Sequence, residues 1–422
     1  MTIIFNKKRM IALALGMVAS ASALAAQPAL QWNVPVAASA NALQKNISVK
    51  GPLVNTSRDP VAFTYAIDSA QALDFTAPVH TEKSRQYWLD TTGEKLAAGV
   101  SLPVTGGDTV IRISPLDVNK AGSLSAGQVA LLAEGKTMPL DVFADAESLQ
   151  KTGVPFTENT VAFKSRLPEG RATLKVTGLR PDMPVVVHVF EPESTQVLEL
   201  STVKTTFGAN EPVQVVAALR DGGNPQAANW QGYISLPDGR LAGELKFSPM
   251  ADGRYQAVLP VSELTGLANG LWQVHVFASN DKVMRDAQTA FAVNMPVAAF
   301  NGALSWSQNK AGQPQVNVGV DVAVEGRFEV RGVLFAHDAN AQLKPFAVTM
   351  SAAWLPAGKH AVALPIDRGL LADSGLKPPV EIRQVKLLDQ SRLVPVQTVT
   401  EGITLMVVPD AADFSQADLS RQ

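Results

Sequence analysis

The chain has 422 residues, 36 Lys and Arg against 38 Asp and Glu, a formal net charge of −2 and no cysteine. Without cysteine there is no disulfide, no thiolate metal site and no cysteine nucleophile. A mildly acidic chain without basic runs also argues against nucleic acid and anionic membranes as partners.

Lys7, Lys8 and Arg9 precede the apolar run MIALALGMVASASALAA. The run holds about fifteen residues before its small-residue cluster, too short for a comfortable membrane span. Ala23 and Ala25 fit the A-x-A pattern of a signal-peptidase site. Residues 1–25 are therefore read as a cleaved bacterial signal peptide, the rival reading being an anchor that stays attached. The mature chain is expected to be exported, periplasmic or extracellular, with no membrane span. Its length suits two to four domains, and an apolar content of 46 % lets cores hold them without cross-links.

From residue 27 onward the hydrophobic pattern has period two more often than 3.6, which points to strands. Residues 26–193 form an expected N-terminal domain, longer and less regular than the rest. Within it SAGQVALLAEG (125–135) reads as a helical turn or more, and FADAESLQKTG (143–153) as a short helix closing at Gly153. The strand in MPVVVHVFEPES carries His188 and runs into the acidic, Pro-containing link EPEST (191–195).

Residues 194–295 hold roughly seven short, β-branched segments bounded by Gly, Pro, Asn or Asp, the content of one immunoglobulin-like sandwich. EPVQVVAALR (211–220), GRYQAVLP (253–260), WQVHVFA (272–278) and TAFAV (289–293) are the clearest. Asp252-Gly253 supplies a hairpin turn, across which Phe247 and Tyr255 are expected to pair. Alternation puts Trp272, Val274 and Val276 on the core face and Gln273, His275 and Phe277 on the other. His275 is thus read as one tooth of a strand, not a catalytic base. A third domain spans 296–408, with strands at 314–324, 327–336, 360–366 and 380–389. Residues 409–422 form a polar tail. The fold expected is all-β: three consecutive immunoglobulin-like β-sandwiches, the first enlarged and irregular with short helical segments.

FSPMADGRYQAVLP, GLWQVHVFAS and RDAQTAFAV together resemble the immunoglobulin-like modules of secreted bacterial proteins. GRFEVRGVLF, AAWLPAGKHAVALPID and LLADSGLKPPVEIRQVKLLDQSRL are similar to the C-terminal module of an uncharacterised family of exported proteobacterial proteins. The resemblance covers residues 194–408. It implies the sandwich fold and brings no catalytic residues, because the sandwich is a scaffold shared by many functions.

The motifs of chemistry are sparse. The five histidines, His80, His188, His275, His337 and His360, are scattered singly, with no H-E-x-x-H. SLSAG (123–127) has Ser123 where a nucleophile elbow needs its first Gly and lacks the preceding strand. Tyr87-Trp88 is the one adjacent aromatic pair. Its side chains take opposite faces of a strand, so one of them is a candidate ligand-binding residue. The plainer reading puts the Tyr at the rim and the Trp in the core. In a sandwich of this topology the loops 220–229 and 279–286 lie at the end where the linker enters. Asp221, Asp281, Glu191 and Glu193 are therefore a candidate calcium site stiffening the first junction, against a solvated acidic rim. No other cofactor is indicated.

The function read from these residues is a non-catalytic exported protein presenting loops and sheet edges to a protein or glycan. One alternative is an exported hydrolase with a metal or carboxylate-pair site in the N-terminal domain. Another is a structural spacer.

Overall fold

The computed structural model describes residues 30–36, 43, 57–70, 72–75, 79–116, 124–151, 153, 159–208, 211–260, 270–294 and 297–409. The expected signal peptide, and the tail beyond Pro409, lie outside the described residues. Among the described residues six sheets pair face to face into three β-sandwiches, each with its own apolar core. Among the described residues no helix is long and apolar enough to cross a membrane.

In the first sandwich the strands run Gln86–Thr92, Pro184–Phe190, Gly107–Pro115, Val161–Leu167 and Val142–Ala144 across one sheet. The facing sheet orders Val100–Val104, Gly170–Val176, Val129–Ala133 and Lys136–Met138. Alternation decides which side chains go in: Thr109, Ile111 and Ile113 are buried while Val110 and Arg112 are only half-buried. The stretch 125–135, expected as helical, holds one 3₁₀ turn at Ala126–Gln128 and then becomes strand. Val129, Leu131 and Ala133 alternate into the core, and period two overrides the helix-forming residues. The short helix Ala146–Gln150 forms where expected, its N-cap Asp145 accepting from the Ser148 amide at 2.9 Å.

The middle sandwich packs the sheet of Ser248–Pro249, Tyr255–Pro260, Pro212–Asp221, Gln196–Thr202 and Glu82–Ser84 against a second one. That second sheet orders Thr206–Gly208, Met284–Asn294, Leu271–Ser279, Asn229–Ser235 and Leu241–Glu244. Trp272, Val274 and Val276 are fully buried and His275 faces the other way. The Asp252-Gly253 hairpin forms with Pro249, not Phe247, opposite Tyr255. Phe247 and Tyr255 meet instead through Trp230, whose ring centroid lies 5.7 Å from the first and 4.8 Å from the second.

The third sandwich combines a 7-stranded and a 3-stranded sheet around Phe328, Phe346, Val318 and Leu387. Here the structure departs from sequence order. Leu30–Trp32 pairs with Ile403–Leu405, and Val61–Ala66 pairs with Leu343–Leu355, so both join the 7-stranded sheet. Glu82–Ser84 then joins the middle sandwich before the chain enters the first at Gln86. The described strands ahead of the first sandwich, Leu30–Trp32, Val61–Ala66 and Glu82–Ser84, thus form an arm laid along the other two.

Specific contacts hold the arm. Trp32 packs on Phe300 at 5.5 Å and donates its indole N–H to the Gly302 carbonyl at 3.1 Å. Asn33 donates to the carbonyls of Glu401 and Gly402. Gly402 has φ +69, and a Cβ there would fall 1.7 Å from the Ile382 carbonyl oxygen, so this turn requires glycine. Arg327, 7 % exposed, donates through Nη1 to the carbonyls of Ser57 at 2.6 Å and Asp59 at 2.7 Å. Arg327→Ala is expected to lose about 1–3 kcal/mol and to speed amide exchange in Val61–Ala66 more than in Leu30–Trp32. Equal protection of both strands in the variant would refute this anchoring role.

Candidate functional site at the first junction

The link after Phe190 turns over a buried ion pair. The Glu191 side chain is 1 % exposed and that of Arg285 0 %, with Nη2 standing 2.8 Å from Oε2. Arg285 also donates to Ser194 Oγ at 2.8 Å, the Gln196 carbonyl at 3.0 Å and the Met284 carbonyl at 2.8 Å. Glu191 Oε1 accepts from the amide and the hydroxyl of Thr105 at 2.5 and 2.9 Å. Arg85 completes the clamp by donating to the Ser194 carbonyl at 2.9 Å. Residues from three separate stretches therefore fix one turn. Such a pair tolerates loss of one partner poorly, because the other is left as a buried charge.

Next to it, Asp286 ties the two sandwiches together. Its carboxylate is 1 % exposed and accepts from the Trp88 amide at 2.7 Å through Oδ2. Trp88 lies on Gln86–Thr92, the edge of its sheet, so Asp286 caps an edge amide across the junction. Oδ1 has no partner. Burial raises this carboxyl to about 7, opposed by the Trp88 bond and by Arg285. Burial, then the Glu191 charge, likewise push the Tyr87 hydroxyl upward.

Beyond the cap runs a row of rings. Trp88 meets Phe277 edge-on at 5.8 Å and 90°. Tyr233 lies 6.2 Å from Phe277 and stacks on His275 at 4.5 Å and 16°. His275 Nε2 is 3.1 Å from Ser235 Oγ, and burial lowers its pKa. A groove of about 610 Å³ opens beside this row, lined by Trp230, Gln231, Tyr233, Leu241, Glu244 and Phe277 among others. A second cavity of about 150 Å³ lies under the first sandwich's edge and shares Gln231 and Phe277 with it. The two hollows flank Phe277, and the smaller one lies where two domains meet, a common place for a binding site.

Comparison with known proteins gives the family. Residues 52–191 match the N-terminal domain, and residues 298–406 the C-terminal domain, of the family described as Domain of unknown function (DUF4785). The chain belongs to the DUF4785 family. A crystal structure of a DUF4785 family protein from Legionella pneumophila is 18 % identical, with a TM-score of 0.60 over 86 % of this chain and 98 % of that one. At that identity the likeness establishes the shared fold. Trypsin-activated alpha-2-macroglobulin from Escherichia coli (16 % identical, TM-score 0.22, 68 % of this chain, 21 % of that one) is too distant to add to it. So is an Escherichia coli adhesin (12 % identical, TM-score 0.19, 76 % and 98 %). No curated protein matches in sequence.

In this DUF4785 chain the linker does enter beside the two loops named from topology. Thr195 donates to Asp221 Oδ1 at 2.6 Å, and Asn280 donates to the Ala227 carbonyl at 3.2 Å. The four carboxylates nevertheless do not converge on a calcium site. Glu191 is buried against Arg285, while Glu193 and Asp281 are exposed to solvent. Among the described residues no three His, Asp or Glu side chains gather to hold a metal ion. The aromatic pair is also placed differently from the plainer reading. Tyr87 is in the core, 1 % exposed, donating to the Pro103 carbonyl at 2.9 Å, and Trp88 is the outer residue. His188 is half-buried beside Gln86 and lowered to about 4 by burial and then by Arg112, so it is neutral at pH 7. Sequence reasoning missed Arg285 and Asp286, although both stand inside the quoted loop 279–286.

Two outcomes follow from the junction. Glu191→Gln strands the Arg285 charge and is expected to cost about 3–5 kcal/mol in equilibrium denaturation. A loss under about 1 kcal/mol would show the pair to be dispensable. Asp286 binds its proton more tightly folded, at about 7, than unfolded, near 3.8. Its contribution to stability therefore falls as pH rises from about 4 to about 7 and is flat outside that window. Asp286→Asn keeps the acceptor for Trp88 and removes the titration. Relative to wild type it is expected to gain about 1–3 kcal/mol between pH 5 and pH 8. A gap that does not change with pH would refute the assignment.

Proposed function

We propose that this protein is an exported, non-catalytic interaction protein whose groove on the middle sandwich receives an extended segment of another protein. The observation that carries the reading is the groove beside Tyr233 and Phe277, bounded by the short edge strand Leu241–Glu244 with Leu241 56 % exposed. A sugar platform needs a free ring face. Here Tyr233 is stacked on His275, and Trp230 is packed against both Phe247 and Tyr255. What the groove offers instead is the apolar side chains of Leu241, Leu245 and Phe277 together with Gln231 and Glu244. These suit an extended peptide that sets alternate side chains into a hollow. A protein partner is therefore favoured over a glycan. The hydrolase alternative has one feature in its favour, the raised carboxyl of Asp286. That group is 1 % exposed and faces a backbone amide, which suits a structural cap.

The test is selection of a random-peptide phage library on the immobilised mature protein, with a glycan array in parallel. Peptides with alternating apolar residues should be enriched and should lose at least about tenfold in affinity on Leu241→Asp or Tyr233→Ala. Enrichment of no peptide, or retention of a glycan that Tyr233→Ala abolishes, would replace this reading.

A further inference from the structure

We infer that the arm strand Val61–Ala66 is a homodimerisation edge, pairing antiparallel with the same strand of a second copy about a two-fold axis at Thr64. This goes beyond the groove reading and concerns a different sandwich.

The strand ends the 7-stranded sheet, and no described strand lies on its far side. Its sequence is VAFTYA, without charge, proline or bulge, and its register with Leu343–Leu355 is unbroken. Natural edges are normally guarded by such devices. Others in this chain are. Leu241–Glu244 meets a register shift, Ser248–Pro249 contains proline, and Gln86–Thr92 is capped by Asp286. Val61, Phe63 and Tyr65 instead stand 40, 42 and 48 % exposed on one face. Phe63 and Tyr65 lie 6.1 Å apart there.

Hydrogen-bond phase selects the register. The Ile67 amide donates to the Phe346 carbonyl at 2.9 Å, continuing the alignment of Ala66 with Ala347. Backbone groups alternate along an antiparallel strand, so those of residues 61, 63 and 65 also turn inward. The groups of Ala62, Thr64 and Ala66 therefore turn to the open edge. A two-fold axis at Thr64 places Thr64 opposite Thr64 and Ala62 opposite Ala66, so every outward N–H meets an outward carbonyl. On the exposed face Phe63 then lies opposite Tyr65, an aromatic cross-strand pair made twice.

Charge agrees with the antiparallel sense. Arg58 precedes the strand and Asp68 follows it, both exposed. Antiparallel addition sets Arg58 of each copy diagonally across from Asp68 of the other, whereas parallel addition sets Arg58 by Arg58. The contact is isologous and closes after two copies, so it does not propagate into a fibre.

The experiment is sedimentation of the purified mature chain over a concentration series. A dimer is expected for wild type, with Ala62→Pro or Phe63→Lys shifting it to monomer while the thermal midpoint stays in place. Proline at 62 removes an outward amide that the chain's own sheet does not use. The second variant covers the case in which the first misfolds. Because the chain has no cysteine, Thr64→Cys gives one thiol per copy, at a separation of about 5.5 Å between Cα atoms that a disulfide can span. Oxidation should yield a covalent dimer. A monomeric wild type, or a dimer indifferent to both edge variants, would overturn the inference. So would slow amide exchange at Ala62 and Thr64 in a monomer, which would mean that the chain covers its own edge.

Discussion

A β-sheet that does not close on itself ends in a row of backbone donors and acceptors, and what meets those groups decides how its neighbours are arranged. In this protein the answers are long-range. Strands of the N-terminal arm extend the sheets of the second and third sandwiches. The first sandwich has its edge amide at Trp88 met by a carboxylate from the second. Backbone hydrogen bonding thus makes the three cores one assembly.

The junction between the first two sandwiches shows how polar groups set geometry while apolar cores set stability. Arg285 reaches Glu191, Ser194 and Gln196 at once, which fixes the path of the link in a way that no apolar contact would. Directional bonds of this kind demand one arrangement and penalise others. The row Trp88, Phe277, Tyr233 and His275 continues from that point.

Much of the fold is legible in the sequence because burial in a sandwich alternates. Trp272, Val274 and Val276 declare the inner face of their strand and His275 the outer by spacing alone. Asp145 announces a helix start because its side chain serves the amide three residues on. Pairings between distant stretches leave no such local trace. Trp32 and Gly302 lie 270 residues apart, and Asn33 and Glu401 lie 368 apart. Nothing in the local pattern of VAFTYA says which sheet it joins. The site suffered likewise. Glu191 reads as a metal ligand until Arg285 is seen to neutralise it. Tyr87 and Trp88 cannot be assigned to their faces without knowing that a second domain covers one of them. The Phe247–Tyr255 expectation failed because Trp230, from another strand, competes for both rings.

The arm also imposes an order of events on the chain's own synthesis. A polypeptide grows from its N-terminus, and its domains generally fold as they appear. The first sandwich, from Gln86 to Phe190, can therefore close early, while Leu30–Trp32 waits for Ile403–Leu405 near the far end. Until then the arm's apolar strands have no native partner and are open to capture by other chains. Closing so long a loop late makes final assembly the step most exposed to aggregation.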